Sequence, residues 1–335
     1  MKIDMFCHIL PPAYFERMTA ISARGGYMQK RIREIPAMVD LDLRFKMMDL
    51  FGDYVQVLSL AAPPLEALGA ADASPELARL ANDGMAEIVS RHPDRFPAFI
   101  ASMPMNNVDA AVREIDRAVT DLRAAGIQIF TNVNGTALDD PQFAPIFERM
   151  AALDRPIWLH PTRTASFADY ATEPKSKFEL WWTFGWPYET SVAMARILFA
   201  GYFDRWPNLK VITHHMGEMI PYFAGRIGPG LDQLGVRTED EDLTVHLKRL
   251  QKRPYDYFKM FYADTALFGA RHAMECGLTF FGVDQVVFAS DFPFDPEKGT
   301  FNIRETFKDV DHLPISEAER RTIYEGNARR LLKLA

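Results

Sequence analysis

Val211-Ile-Thr-His-His-Met-Gly-Glu218 is an apolar run that stops at two adjacent histidines and is followed by a glycine and a carboxylate. Three other segments of the chain end in the same manner. Ile3-Asp-Met-Phe-Cys-His8 reaches a histidine near the start, Pro156-Ile-Trp-Leu-His160 reaches one before a proline, and Val286-Val-Phe-Ala-Ser-Asp291 reaches an aspartate followed by Phe-Pro-Phe-Asp. Strands that deliver a metal ligand or proton carrier at their C-terminal ends are the pattern of a (β/α)8 barrel, whose chemistry sits on that face.

Four further β-type runs, Tyr54 to Leu60, Phe96 to Ser102, Gly126 to Thr131 and Lys259 to Asp264, bring the strands to eight. Helix-period segments lie between them at 75–91, 108–125, 141–154, 189–203 and 266–281. The clearest carries Ala110, Val112, Ile115, Ala118, Val119 and Leu122 at helical spacing, with Gly126 after its end. Strands alternating with single helices make a parallel sheet, and eight repeats close it, so the expectation is one α/β domain over 1–335, a (β/α)8 TIM barrel. A doubly wound sheet would want a glycine-rich phosphate loop after the first strand, and the sequence has none there. Two long insertions, 9–50 and 161–188, follow the first and fifth strands; the second carries Trp181, Trp182, Phe184 and Trp186, as a loop covering a substrate would.

A formal net charge of -7 without a Lys/Arg block argues against a nucleic-acid or anionic-membrane surface. No apolar stretch approaches the roughly 20 residues that span a bilayer. The N-terminus runs straight into a strand with no leader, and Cys7 and Cys276 make no disulfide framework, so the expected compartment is the cytoplasm.

Alternation along the first strand puts Asp4, Phe6 and His8 on one face and turns Cys7 away. In a barrel, His8, His160, His215 and Asp291 converge on one axis. Two neutral imidazoles and a carboxylate suit a borderline divalent ion such as Zn2+, with a position open to water or substrate. Each residue alone is equally readable as a polar strand cap; four at once weigh against that.

Five segments together resemble the amidohydrolase superfamily: Lys2-Ile-Asp-Met-Phe-Cys-His-Ile-Leu-Pro11, Trp158-Leu-His-Pro161, the run from Phe203 to Gly217, Gly225-Arg-Ile227 and Ala289-Ser-Asp-Phe-Pro-Phe294. Within it they are similar to the branch of aminocarboxymuconate-semialdehyde decarboxylase and the metal-dependent aromatic acid decarboxylases. The resemblance implies metal ligation by His8, His160 and Asp291, with Zn2+ expected and Mn2+ as the alternative ion. It implies that His215 carries the proton, assisted by Glu218, with Asp291 also in the catalytic set. Arg44 and Arg226 would hold a substrate carboxylate, the second across a homodimer interface, and Trp181 or Trp182 would line the pocket. Phe6 departs from the pattern, because it stands where the family's first ligand does and a phenyl ring cannot bind a metal; three outcomes are open, a metal held by His8, His160 and Asp291 with extra water, a rebuilt site recruiting His214 or the substrate itself, or no metal. With His215 facing the axis, alternation turns His214 away, toward a hydrogen-bonding role behind the ligands. Asp264 and Asn132 lie on the same face, as substrate contacts or as caps, and Asp295 reads as a loop or cap residue.

The expected activity is non-oxidative decarboxylation of an aromatic or conjugated unsaturated acid. Two alternatives stand beside it: hydrolysis of a carbon–carbon, ester or amide bond by metal-bound water at the same site, and a degenerate barrel that binds an aromatic acid without turnover, motivated by Phe6.

Overall fold

The computed structural model describes residues 1–21 and 29–334, the side chain of Gln29 excepted; part of the first insertion, 22–28, lies outside the described residues. Eight parallel strands form the barrel: β1 (Lys2–Ile9), β2 (Tyr54–Leu60), β3 (Ala98–Ser102), β4 (Gly126–Phe130), β5 (Ile157–His160), β6 (Val211–Thr213), β7 (Tyr262–Asp264) and β8 (Val286–Val287). They neighbour one another in chain order. The ring closes from β8 back to β1, where Met5 N donates to Phe288 O at 2.9 Å, His8 N donates to Phe292 O at 2.7 Å, and Cys7 bridges Phe292. A short antiparallel hairpin, Asn132–Val133 with Thr136–Ala137, follows β4.

The helices named below are α1 (Leu41–Met48), α2 (Ser74–Arg91), α3 (Val108–Thr120), α4 (Ala144–Leu153), α5 (Gly185–Phe199) and α6 (Arg271–Phe281). Three begin or end away from their expected places, each for backbone reasons, and the first is α3, which stops at Thr120 rather than 125, ahead of Arg123 at φ 62°. Gly201 at φ 71° stops α5 and starts a separate turn at Tyr202. Phe268 and Gly269, at φ 56° and 91°, cannot continue a helix, so α6 starts at Arg271 and leaves Leu267 and Phe268 free to form a wall.

The barrel interior is filled by Ile3, Met5, Phe6, Val57, Trp158 and Ile212 among others, while a larger apolar layer lies between strands and helices. Gly126 permits this closeness: a Cβ there would stand 2.2 Å from Pro156 O and 2.7 Å from the Trp158 ring. The expected alternation of β1 is corrected at one point. Register slips between Asp4 and Cys7, with three residues of β1 spanning two of β2. This bulge leaves Phe6 and His8 inside, as expected, but turns Asp4 outward, where it accepts from Tyr54 Oη at 2.6 Å and from Ser290 N at 3.0 Å.

Candidate active site

The strand ends converge as barrel geometry requires. His8, at the end of β1, has Nδ1 at 3.3 Å from both Leu60 O and Ser59 Oγ, and Nε2 at 3.0 Å from Asp291 Oδ1. Two neutral tautomers have partners here: Ser59 Oγ–H can donate to Nδ1 while Nε2–H donates to Asp291, or Nδ1–H can donate to Leu60 O and leave the Nε2 lone pair to share a cation with Asp291. At the end of β5, His160 donates Nδ1–H to Pro161 O at 2.6 Å, which leaves the Nε2 lone pair free. Burial, then the neighbouring imidazoles, hold His160 well below the ordinary histidine pKa, in the neutral form a metal requires.

After β6 the backbone turns sharply. His215, Met216, Gly217 and Glu218 all have positive φ, from 51° to 71°, a run that costs of order 1–3 kcal/mol for each non-glycine residue and is kept where surrounding structure enforces it. Asp264, at the end of β7, accepts from His214 Nδ1 at 2.6 Å, His215 N at 2.9 Å and Ala266 N at 3.1 Å. This is neither of its two expected roles, substrate contact or helix cap: Asp264 lies outside the cavity lining and holds the two histidines in place. Its carboxyl lies below the usual range: burial opposes this, but the His214 hydrogen bond and the two imidazoles outweigh burial. His215 donates Nδ1–H to Ala266 O at 2.8 Å. Burial works against its charged form, yet Glu218, Asp291, Asp264 and the Ala266 bond together raise its pKa above the ordinary value. Burial pushes Glu218 to about 7 against the pull of His215, and its Oε1 is buried with no hydrogen-bond partner. Asp291 itself sits at φ 61°, which aims its carboxylate off the strand direction and back toward His8.

These residues open on a cavity of about 300 Å³ lined by His8, His160, His215, Glu218 and Asp291 on its polar side. Trp182, Trp186, Leu267, Phe268 and Phe294 supply an apolar wall. Ring centroids lie 5.5 Å apart for Trp186 and His160, 5.2 Å for Phe294 and His8, and 5.2 Å for Phe268 and His215. Phe6 packs beneath, 4.4 Å from His8, 5.7 Å from His160 and 3.6 Å from His214.

The residues expected to hold a substrate carboxylate are not in this cavity. Arg44, on α1, is fully buried behind β1 and β2; Nε donates to Gln56 Oε1 and Nη1 to His8 O, both at 2.7 Å, and the Phe292 ring covers it at 4.6 Å. Its guanidinium braces the backbone of His8, which corrects the expectation of substrate contact. Arg226 is exposed in a separate groove, and Trp181 stands behind Trp186 at 6.2 Å, while Trp182 does reach the cavity. Asn132 ties Thr162 O at 3.0 Å and Gly135 N at 2.9 Å, and Asp295 accepts from Glu297 N, Gly299 N and Asn302 N as a loop cap. Arg31 is the one Lys or Arg among the described cavity residues, held by Phe294 O at 3.0 Å and against the rings of Trp182 and Phe294. Neither Arg31 nor Trp186 ends a strand, so no strand-end pattern marks them.

Among the described residues, no three His, Cys, Asp or Glu side chains form a preformed metal cluster. The donor types nevertheless fit a divalent ion: neutral imidazole at His160, His8 Nε2 with the Asp291 carboxylate 3.0 Å away, and a buried, unpartnered Nε2 on His214.

A family model described as amidohydrolase matches residues 3–334. Gamma-resorcylate decarboxylase of Polaromonas sp. (strain JS666) is 33% identical over 305 residues, 88% of this chain and 87% of that protein. 2-Amino-3-carboxymuconate-6-semialdehyde decarboxylase of Dictyostelium discoideum is 29% identical over 358 residues, 100% of this chain and 92% of the other. The solved dihydroxybenzoic acid decarboxylase from Polaromonas sp. JS666, with bound manganese and the inhibitor 2-nitroresorcinol, aligns with a TM-score of 0.79 at 29% identity over 99% of this chain and 97% of that one.

Proposed function

The chain belongs to the amidohydrolase family, and from that premise we propose that it is a metal-dependent carbon–carbon lyase that removes CO2 from an aromatic or conjugated unsaturated carboxylic acid without oxidation. The observation that carries this reading is the cavity itself: a ring-sized, aromatic-walled space of about 300 Å³ whose polar side presents His8, His160, Asp291, His215 and Glu218 together. Ligand pockets of this kind run from roughly 300 to 1,000 Å³.

His8, His160 and Asp291 would hold the divalent ion, which supplies Lewis-acid charge to a substrate carboxylate and an adjacent oxygen. Manganese in the solved relative makes Mn2+ the first ion to test, beside the zinc expected from the donor set. Trp182, Trp186, Phe268 and Phe294 clasp the ring and exclude water. Arg31, at the cavity's cationic edge, favours an anionic ligand. His215 gives a proton from Nε2 to the ring carbon that bears the carboxylate. The carbon–carboxylate bond then breaks, its electron pair returns to the ring, and CO2 leaves, so carboxylate plus one proton gives arene plus CO2. The charge of Glu218 favours the protonated form of His215. Asp291, already bonded to His8, is the less available acid.

Arg226 lines a groove of about 880 Å³ with Tyr188, Val192, Met219, Phe223 and Ile227, and Tyr222 nearby is 78% exposed. An apolar groove of this kind supports a homodimer in which Arg226 acts across the two-fold. No helix among the described residues is long and apolar enough to cross a membrane, and two free cysteines suit the cytoplasm, where we place the reaction.

Protein loaded with Mn2+ or Zn2+ and offered hydroxybenzoates and muconate-type acids should release CO2 from at least one without consuming water. Hydrolysis products with no CO2, or full activity after chelation, would refute the reading.

A further inference from the structure

Three imidazoles tie Nδ1–H to an acceptor in the barrel wall, Pro161 O for His160, Asp264 Oδ2 for His214 and Ala266 O for His215, and each of them presents Nε2 as the free nitrogen. His8 has Nδ1 at 3.3 Å from both Leu60 O and Ser59 Oγ, and its Nε2 meets Asp291. His8, His160 and His215 line the cavity. His214 differs, because it is fully buried and its Nε2 has no partner. Leaving such a nitrogen unsatisfied costs on the order of 1–3 kcal/mol, and the apolar Phe6 ring against its face, 3.6 Å away, offers no acceptor or donor.

Carboxylate on one nitrogen and nothing on the other is the arrangement by which proteins orient a metal-binding histidine and raise its basicity. Placement agrees. The His214 ring lies 5.4 Å from that of His160, which lies 5.5 Å from that of His8. Strand alternation would turn His214 away from a neighbour that faces the site, but regular β6 ends at Thr213. His214 stays extended at φ -74° and ψ 161°, and His215 then reverses at φ 51°. His215 thereby lines the cavity while His214 lies beneath its wall, beside the rings of His160 and Phe6.

We propose that His214 is a metal ligand through Nε2, joining His8, His160 and Asp291, with Asp264 as the residue that positions it. This rests on the metal-dependent reading above. Three imidazoles and one carboxylate make four protein donors beside a phenyl ring that gives none, and on an ion of octahedral preference such as Mn2+ two positions would remain for the substrate.

Mn2+ bound to the stripped protein tests this by pulsed electron paramagnetic resonance, which counts coordinated imidazole nitrogens, and by titration calorimetry. Wild-type protein should show three nitrogens. His214→Gln should show two, with affinity for Mn2+ lower on the order of a hundredfold or more, and Asp264→Asn should keep three with a loss of roughly 10- to 100-fold. The wild-type spectrum decides even if His214→Gln fails to fold. Two nitrogens in the wild type, or unchanged affinity in a folded His214→Gln, would overturn the inference and leave metal-dependent decarboxylation standing. Absence of any bound Mn2+ or Zn2+ in the wild type would overturn that reading and the inference with it.

Discussion

His215 has its ring nitrogen Nδ1 fixed by Ala266 O, its backbone N–H fixed by Asp264, and Glu218 raising its pKa. A side chain so constrained is suited to holding a proton at one place. His215→Asn should lower kcat by roughly a hundred- to ten-thousandfold with metal content unchanged by elemental analysis; loss of the ion in that variant would move His215 into the coordination sphere. Residues of this kind were legible in the sequence because His8, His160, His215 and Asp291 each end an apolar run. Arg44 departs from what the resemblance implies because a matched residue fixes a place in the chain, not whether its guanidinium passes over or behind the strand beside it. Arg31 and Trp186 come from the two insertions, whose course is set by packing against Phe294 and His160 rather than by any local pattern.

Elements place these residues through irregularities more than through regular structure. The bulge in β1 gives Phe6 and His8 the inward face while sending Asp4 to Tyr54 and Ser290. Period-two counting cannot see an inserted residue, which is why Asp4 was assigned to the wrong side. The turn from His215 to Glu218 does comparable work after β6. At its centre Gly217 has φ 71°, and a Cβ there would stand 2.7 Å from the Phe281 ring on α6. Gly217→Ala should therefore destabilise the fold by about 1–3 kcal/mol, read as a lower denaturant midpoint, and should reduce turnover in the fraction that remains folded. An unchanged midpoint would mean that the turn relaxes freely and does not fix His215.

For the whole molecule, the barrel was legible from eight strand-like runs alternating with helices, and its closure follows from β8 pairing back to β1. If Arg226 acts across a two-fold, mixing inactive Arg226→Ala with inactive His215→Asn subunits creates mixed dimers with one intact site and one doubly defective site, and activity should return. If Arg226 acts within its own chain, every site keeps one defect and the mixture stays inactive.

The most direct test of the central claim follows the vacated carbon. Metal-loaded wild-type protein turning over a hydroxybenzoate in deuterium oxide should release one CO2 for each arene formed and leave one deuterium, seen by nuclear magnetic resonance, on the carbon that carried the carboxylate. Turnover without CO2, or with solvent oxygen incorporated into an acyl product, would contradict decarboxylation at this site.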